Sequence, residues 1–144
     1  MGTFVRDKIR NAKALKESKN RKFSELWARA DIAGSAAVDE TVPVPMVVEE
    51  HANQMDDSSP IVRQWHVPDG LCGFAWINIK PGNSAFANWL KAEGIARRDH
   101  YYGGVTIWIR KYGQSVQLKE AYATAAAQIL SNEGVRAYAS SRLD

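Results

Sequence analysis

The sequence predicts an α+β protein, and three observations carry that expectation. Strand-like alternation recurs in short stretches from Leu71 onward. Amphipathic stretches lie between them, two of which open on a serine and close before a glycine, the pattern of capped helices. The first half of the chain has a different texture, with helical spacing followed by an acidic stretch containing prolines.

The chain has 144 residues and a net charge of +3. That length suits one compact domain with an appendage. Charge is distributed in blocks. Residues 1–22 hold eight Lys/Arg against two acids, residues 23–69 two against nine, and residues 70–144 nine against five. A basic first block can meet phosphate or the chain's own acidic block. Apolar runs are too short to span a bilayer, and the opening "MGTFVR" has neither a signal-peptide pattern nor the Ser/Thr of an N-myristoylation motif. The single cysteine, Cys72, excludes an internal disulfide and a cysteine-rich zinc site. A cytoplasmic protein with no membrane partner is expected.

Three parts are expected: a basic, amphipathic helical extension over 1–38, an acidic proline-containing linker over 39–60, and an α+β domain over 61–144. In the extension, Phe4 or Val5, Ile9, Ala12 and Leu15 give helical spacing over 4–18. "KESKNRK" (16–22) weakens that pattern, and "FSELWARADIAGSAA" (23–37) opens a second helix with Ser24 as N-cap and Leu26, Trp27, Ala30 and Ala33 on its apolar face. Gly34 either ends this helix or lies within it. "MVVEE" (46–50) has the makings of a short edge strand or docking segment, and "IVRQWHV" (61–67) reads as a strand.

The domain then has a regular rhythm. "LCGFAWINIK" (71–80) is a strand. Ser84 caps a helix that ends at Gly94, with Phe86, Trp89 and Leu90 buried. "ARRDHYY" (96–102) and "VTIWIRKY" (105–112) read as strands joined by a two-residue Gly103-Gly104 turn. Ser115 caps a helix that stops at Gly134, with Leu118, Tyr122, Ala125, Ala126 and Ile129 as its stripe. "VRAYASS" (135–141) is the last strand. The order βαββαβ is the split βαβ, or ferredoxin-like, arrangement, with both helices on one face of an antiparallel sheet and the other face open.

Parity then assigns the open face, because side chains alternate across a strand. Val105, Ile107 and Ile109 face the helices. The open side takes Phe74, Trp76, Tyr101, Trp108 and its neighbours Arg110 and Tyr112, with Arg136 and Tyr138 from the last strand. So many rings on one surface call for an occupant. Three compete: the N-terminal segment folded back through Trp27, Met46, Val47 and Trp65; another protein or a second copy; or stacked nucleotide bases. The RNA-recognition-motif consensus is absent, because the glycines of "YYGGVTIWI" fall in a turn. Arg6, Lys8, Arg10 and Lys13 of the basic block, with Arg97 and Arg98, are the candidate phosphate contacts. "RRDH" (97–100) reads equally as a charged strand edge.

No catalytic constellation emerges. His51, His66 and His100 lack metal-ligand spacing with one another, with Cys72 or with carboxylates. His100 is placed by hairpin parity on the helix side near Ile107. No phosphate-cradling glycine loop, nucleophile elbow or HEXXH pattern occurs, and the expectation is a non-enzymatic protein without cofactor or metal.

"GFAWINIKPGNSAF" (73–86), "YYGGVTIWI" (101–109), "SVQLKEAYA" (115–123) and "RAYASSRLD" (136–144), together with "LWARADIAG" (26–34) and "PVPMVV" (43–48), resemble small proteins encoded by tailed bacteriophages. The resemblance spans most of the chain. It implies a bacterial host cytoplasm and a non-enzymatic role: binding a host or phage protein, binding nucleic acid, or accompanying virion assembly. The leading expectation is a non-catalytic binding protein acting through protein contacts. The alternative is single-stranded nucleic-acid binding by the aromatic face, aided by the basic arm.

Overall fold

A computed structural model describes residues 2–144. The chain runs α1 (Gly2–Asp39), β1 (Met46–His51), β2 (Ile61–Val67), β3 (Gly73–Lys80), α2 (Ala85–Ala92), β4 (Arg97–Arg98), β5 (Val105–Trp108), α3 (Val116–Asn132) and β6 (Arg136–Leu143). It is an α+β structure with two antiparallel sheets. Among the described residues no helix is long and apolar enough to cross a membrane.

One correction is at the N-terminus, where the two expected helices are one helix of 38 residues. "KESKNRK" interrupts the apolar stripe, but lysine, arginine and glutamate are good helix formers, so the backbone continues. The helix stops ahead of Pro43, and the Thr41 hydroxyl donates to the Ala37 carbonyl at 2.6 Å. The segment expected as linker contains β1, at the place where "MVVEE" allows a short edge strand, and β1 pairs with β2, from Met46 opposite Val67 to His51 opposite Ile61. The strand expected at 61–67 therefore exists, but in a separate hairpin. That hairpin is held at its base, where the Val44 N–H donates to Gln117 Oε1 at 2.7 Å and Gly70 lies against the Val44 carbonyl.

The larger sheet has the order β4-β5-β3-β6, with β3 and β5 inside. Ala75, Ile77 and Ile79 of β3 and Val105 and Ile107 of β5 are buried on one face, as parity predicts, together with Ile109. Ala87 and Leu90 of α2 and Ala123, Ala127 and Leu130 of α3 complete that core. Both serine caps form: Ser84 Oγ accepts from the Ala87 N–H at 3.1 Å and Ser115 Oγ from the Leu118 N–H at 3.3 Å.

The second half of α1 packs antiparallel on α3 through Ala30, Gly34 and Val38, and its Trp27 and Asp31 border a cleft with Ile107 and Ile109 of the helix-covered sheet face. Phe23 reaches Phe86 and Trp89 of α2, with ring centroids 5.5 Å and 6.2 Å apart. Gly34 is inside the helix because a Cβ there would lie 2.5 Å from the Tyr122 ring. The Tyr122 hydroxyl donates to the Asp31 carboxylate, which ties the two helices together. α3 thus has two buried sides: Leu118 and Ile129 of the expected stripe are only partly buried, while Ala123, Ala127 and Leu130 face the sheet.

This contact has a pH signature. Burial, and then the Asp31 carboxylate, push the Tyr122 phenol above its ordinary value. A group with a raised folded pKa stabilises fully below its unfolded pKa and loses that contribution as pH rises towards the folded value. Stability should therefore fall above about pH 10, the ordinary tyrosine value. Tyr122→Phe should flatten that alkaline decline in denaturation midpoints measured from pH 8 to 11. An unchanged decline would assign it to other groups.

Candidate functional site

The sheet face opposite the helices is built from alternate residues of four strands. β3 contributes Phe74, Trp76, Asn78 and Lys80. Across from them in register β6 contributes Arg142, Ser140, Tyr138 and Arg136. On the other side β5 supplies Trp108 opposite Trp76 and Thr106 opposite Asn78, and Arg97 of β4 pairs with Thr106. These strand positions carry four cations, Lys80, Arg97, Arg136 and Arg142, and no carboxylate.

Trp76 is the floor of the site, only 7% exposed. Trp108 tilts against it with centroids 5.1 Å apart, and Tyr102 stacks on it at 6.3 Å and 24°. Trp108 and Tyr138 remain 42% and 54% exposed. A groove of about 400 Å3 runs between Tyr102 and Tyr138 over Trp76 and Asn78, with Lys80 and Arg142 along it. At one end the Arg142 guanidinium lies 5.4 Å from the Phe74 ring centroid.

A polar chain that starts from the buried Asn78 and Thr106 sets the position of Tyr102. The Asn78 amide donates to the Gly103 carbonyl at 2.9 Å and to Thr106 Oγ1 at 3.3 Å. The Thr106 hydroxyl donates to Asp99 Oδ2 at 2.6 Å, and Asp99 Oδ1 accepts from the Tyr101 and Tyr102 N–H groups, each at 2.8 Å. The Thr106 hydroxyl and then the Tyr102 N–H hold the Asp99 carboxyl below the usual carboxylate range, with Tyr101 and His100 adding to the same effect. A lowered folded pKa contributes stability above the unfolded value and loses it as pH falls through the folded value. Loop order should thus persist through neutral pH and fade below about pH 4, the ordinary aspartate value. Asp99→Ala should free the loop at all pH values, read as a change in Trp76 fluorescence and faster exchange of the Tyr102 amide. Unaltered spectra at neutral pH would remove Asp99 from this role.

Several expected face residues lie elsewhere. The hairpin is wider than a two-residue turn, because Arg98 pairs with Val105 and residues 99–104 form the loop. Asp99 begins this wider loop by accepting three hydrogen bonds. Tyr101 is therefore a loop residue, 86% exposed, and stacks edge-on to Tyr102. His100 is exposed in the loop and not beside Ile107. Gly103 and Gly104 do take positive φ, 79° and 65°. β5 ends at Trp108; Ile109 still turns inward, its N–H donating to the Ala75 carbonyl at 3.0 Å, and the alternation stops after it. Arg110 lines a cleft with Trp27 and Asp31, and Tyr112, at φ 73°, packs on Tyr122 on the helix side. Arg97 and Arg98 separate: Arg97 shares the open face, while Arg98 lines a cavity with Lys91, Asp99 and His100. Arg6, Lys8, Arg10 and Lys13 are on the exposed N-terminal half of α1, a helix that packs on α3 and α2, the helices of the opposite sheet face.

The N-terminal segment does not cover the aromatic surface. α1 packs on α3 and α2, and the β1–β2 hairpin projects with Trp65 44% exposed. No protein-family model, no curated protein and no solved structure matches the chain. The site must be read from its own chemistry. Among the described residues no group of three His, Cys, Asp or Glu side chains is placed to hold a metal ion. Lys80, Arg142 and Tyr102 join the face in addition to the residues that alternation assigns to it. Lys80 and Arg142 are legible, since each continues the even-numbered series of its strand; Tyr102 is not, because it reaches the face from the wide loop.

Proposed function

We propose that the open face binds single-stranded nucleic acid, with bases stacked on Trp108, Tyr102 and Tyr138 and phosphates met by Lys80, Arg97, Arg136 and Arg142. The observation that carries this reading is the composition of the face: exposed rings over a tryptophan floor, among cations with no strand carboxylate. Ring faces accept any base, and cations on both flanks suit a polyanion crossing the sheet. The strand order β4-β5-β3-β6 with its two intervening helices supports reading residues 71–144 as a ferredoxin-like unit. The setting we propose is the one the phage resemblance implies, a bacterial host cytoplasm. Protein contact, the leading expectation from sequence, keeps a footing on other surfaces, the hairpin and the free half of α1.

The test is a fluorescence titration with single-stranded DNA and RNA oligonucleotides at several salt concentrations. Saturating quenching is expected, with affinity falling as salt rises. Neutralising about four phosphates on a single strand gives a slope near −3 in log K against log salt. Absent quenching at low salt, or quenching indifferent to salt, would sink the reading.

A further inference from the structure

Two surfaces of this chain are left without partners, and they are complementary. The first is the free half of α1. α3 stops at Asn132, so α1 overhangs it towards the N-terminus. From Thr3 to Lys22 every side chain except Ser18 is exposed. The overhang carries eight Lys/Arg against two acids through residue 22. It also carries an apolar row of Phe4, Val5, Ile9 and Leu15, which are between 56% and 66% exposed. A helical stretch of this length is marginal in water without a surface to lie on.

The second surface is the β1–β2 hairpin. A lone two-stranded hairpin is also marginal. Residues 40–69 hold six acids, Glu40, Glu49, Glu50, Asp56, Asp57 and Asp69, against the single cation Arg63. Val47 on one face of the ribbon, Trp65 on the other, and Ile61 and Val62 beside the bulge are exposed. Each surface thus offers apolar side chains within a field of charge opposite to the other.

They do not meet within one chain. The hairpin follows the C-terminal end of α1, and along the helix the basic overhang lies about 26 Å (Lys22) to about 54 Å (Thr3) from that end. No ion pair among the described residues joins the two.

We infer that the basic arm of α1 docks on the acidic hairpin of a second copy of this chain, so that two copies with antiparallel α1 helices exchange arms around a two-fold axis. One rotation makes both contacts, which closes the assembly at two. The axis crosses the docked half of α1, where Ile32 is 68% exposed and lines an apolar groove with Phe23 and Leu26. The same rotation brings that groove onto its own copy. This interface leaves the aromatic face free, because α1 packs with α2 and α3 on the helix-covered side of the sheet.

The experiment is mass measurement by light scattering and sedimentation on nuclease-treated full-length protein, with two charge-reversed variants. One carries Lys8→Glu, Arg10→Glu and Lys13→Glu, all on an exposed helix surface. The other carries Glu40→Lys, Glu49→Lys and Asp57→Lys. The native chain is expected at twice the single-chain mass in low salt, dissociating as salt rises. Each variant alone is expected at half that mass, and an equimolar mixture should return to the mass of two chains. Circular dichroism checks that each stays folded, and the arm variant alone decides should the hairpin variant unfold. A monomeric native protein overturns the inference. So does a dimer that arm reversal leaves intact, or a mixture of folded variants that fails to reassociate. Trp108→Ala should leave the mass unchanged; a monomeric Trp108→Ala would put the interface on the aromatic face instead. Because mass is read without nucleic acid, failure here leaves the stacking proposal standing, and the reverse.

Discussion

Trp108→Ala should weaken binding of a single-stranded oligonucleotide by roughly fivefold to 150-fold, with little effect on folding. The range follows from about 1–3 kcal/mol per stacked base, at about 1.4 kcal/mol for each factor of ten. Trp108 is the right ring to remove. It is 42% exposed, its partner across the sheet is Trp76, and its loss leaves no buried polar group unpaired. Trp76→Ala would be a poorer experiment, because a ring 7% exposed supports the sheet as well as the site. Truncating such a residue costs on the order of 3–5 kcal/mol of stability. Lost affinity there would be confounded with lost fold. Affinity unchanged in Trp108→Ala, measured by anisotropy of a labelled oligonucleotide with the denaturation midpoint as control, would remove stacking on this ring from the account. Arg142→Ala makes a useful companion, since it should lower affinity and make the salt slope shallower together.

Gly34→Leu should destabilise the protein by about 2–3 kcal/mol, as overpacking of a close contact does. The sign is not obvious from sequence. Leucine is a better helix former than glycine by roughly 1 kcal/mol, so at an exposed site the change would stabilise. Here the new Cβ would lie 2.5 Å from a Tyr122 ring that is itself buried and tethered to Asp31. The ring cannot swing aside without giving up that hydrogen bond, so α1 must lift from α3. For a chain of this size each kcal/mol moves the thermal midpoint by about 2–4 °C, and a fall of roughly 4–12 °C is expected. A midpoint that rises would show that the α1–α3 contact does not limit stability. The circular dichroism of the folded state adds a second reading, because an undocked α1 should lose helix along its whole length.

The features legible in the sequence were the ones decided locally. Ser84 and Ser115 announce helix starts because an N-cap needs only its own side chain and the next turn. The inward row Val105, Ile107 and Ile109 follows from alternation alone. The sequence decides less where a distant partner does. Gly34 fits a helix end or a helix interior equally in sequence, and Tyr122, far along the chain, supplies the reason for the interior. The wide loop at 99–104 hides because Asp99 closes it through Thr106, and a Gly-Gly pair suggests a tighter turn. That widening moved Tyr101 and His100 out of the strand. Tyr112 left the face because β5 ended at Trp108 and the chain turned through a positive φ. The aromatic face itself was legible, since Phe74, Trp76, Trp108 and Tyr138 needed only parity. Its lack of a cover was not, because the destination of a long helix depends on which groove α3 and α2 leave for it.

Among the described elements β1 and β2 pack substantially only on each other, and the hairpin is held near its base through Gly70, Val44 and Gln117. Its strand amides therefore belong to a cooperative unit of their own. In native-state hydrogen exchange they should open at a free energy well below that of β3, whose amides open only with the whole sheet. The molecule then has a graded interior: a slow sheet, an intermediate helical layer, and a hairpin that samples its unpaired form many times in the life of one folded chain. Anything that seats against the hairpin would be read first in those amides, as a slowing of exchange confined to residues 46–67.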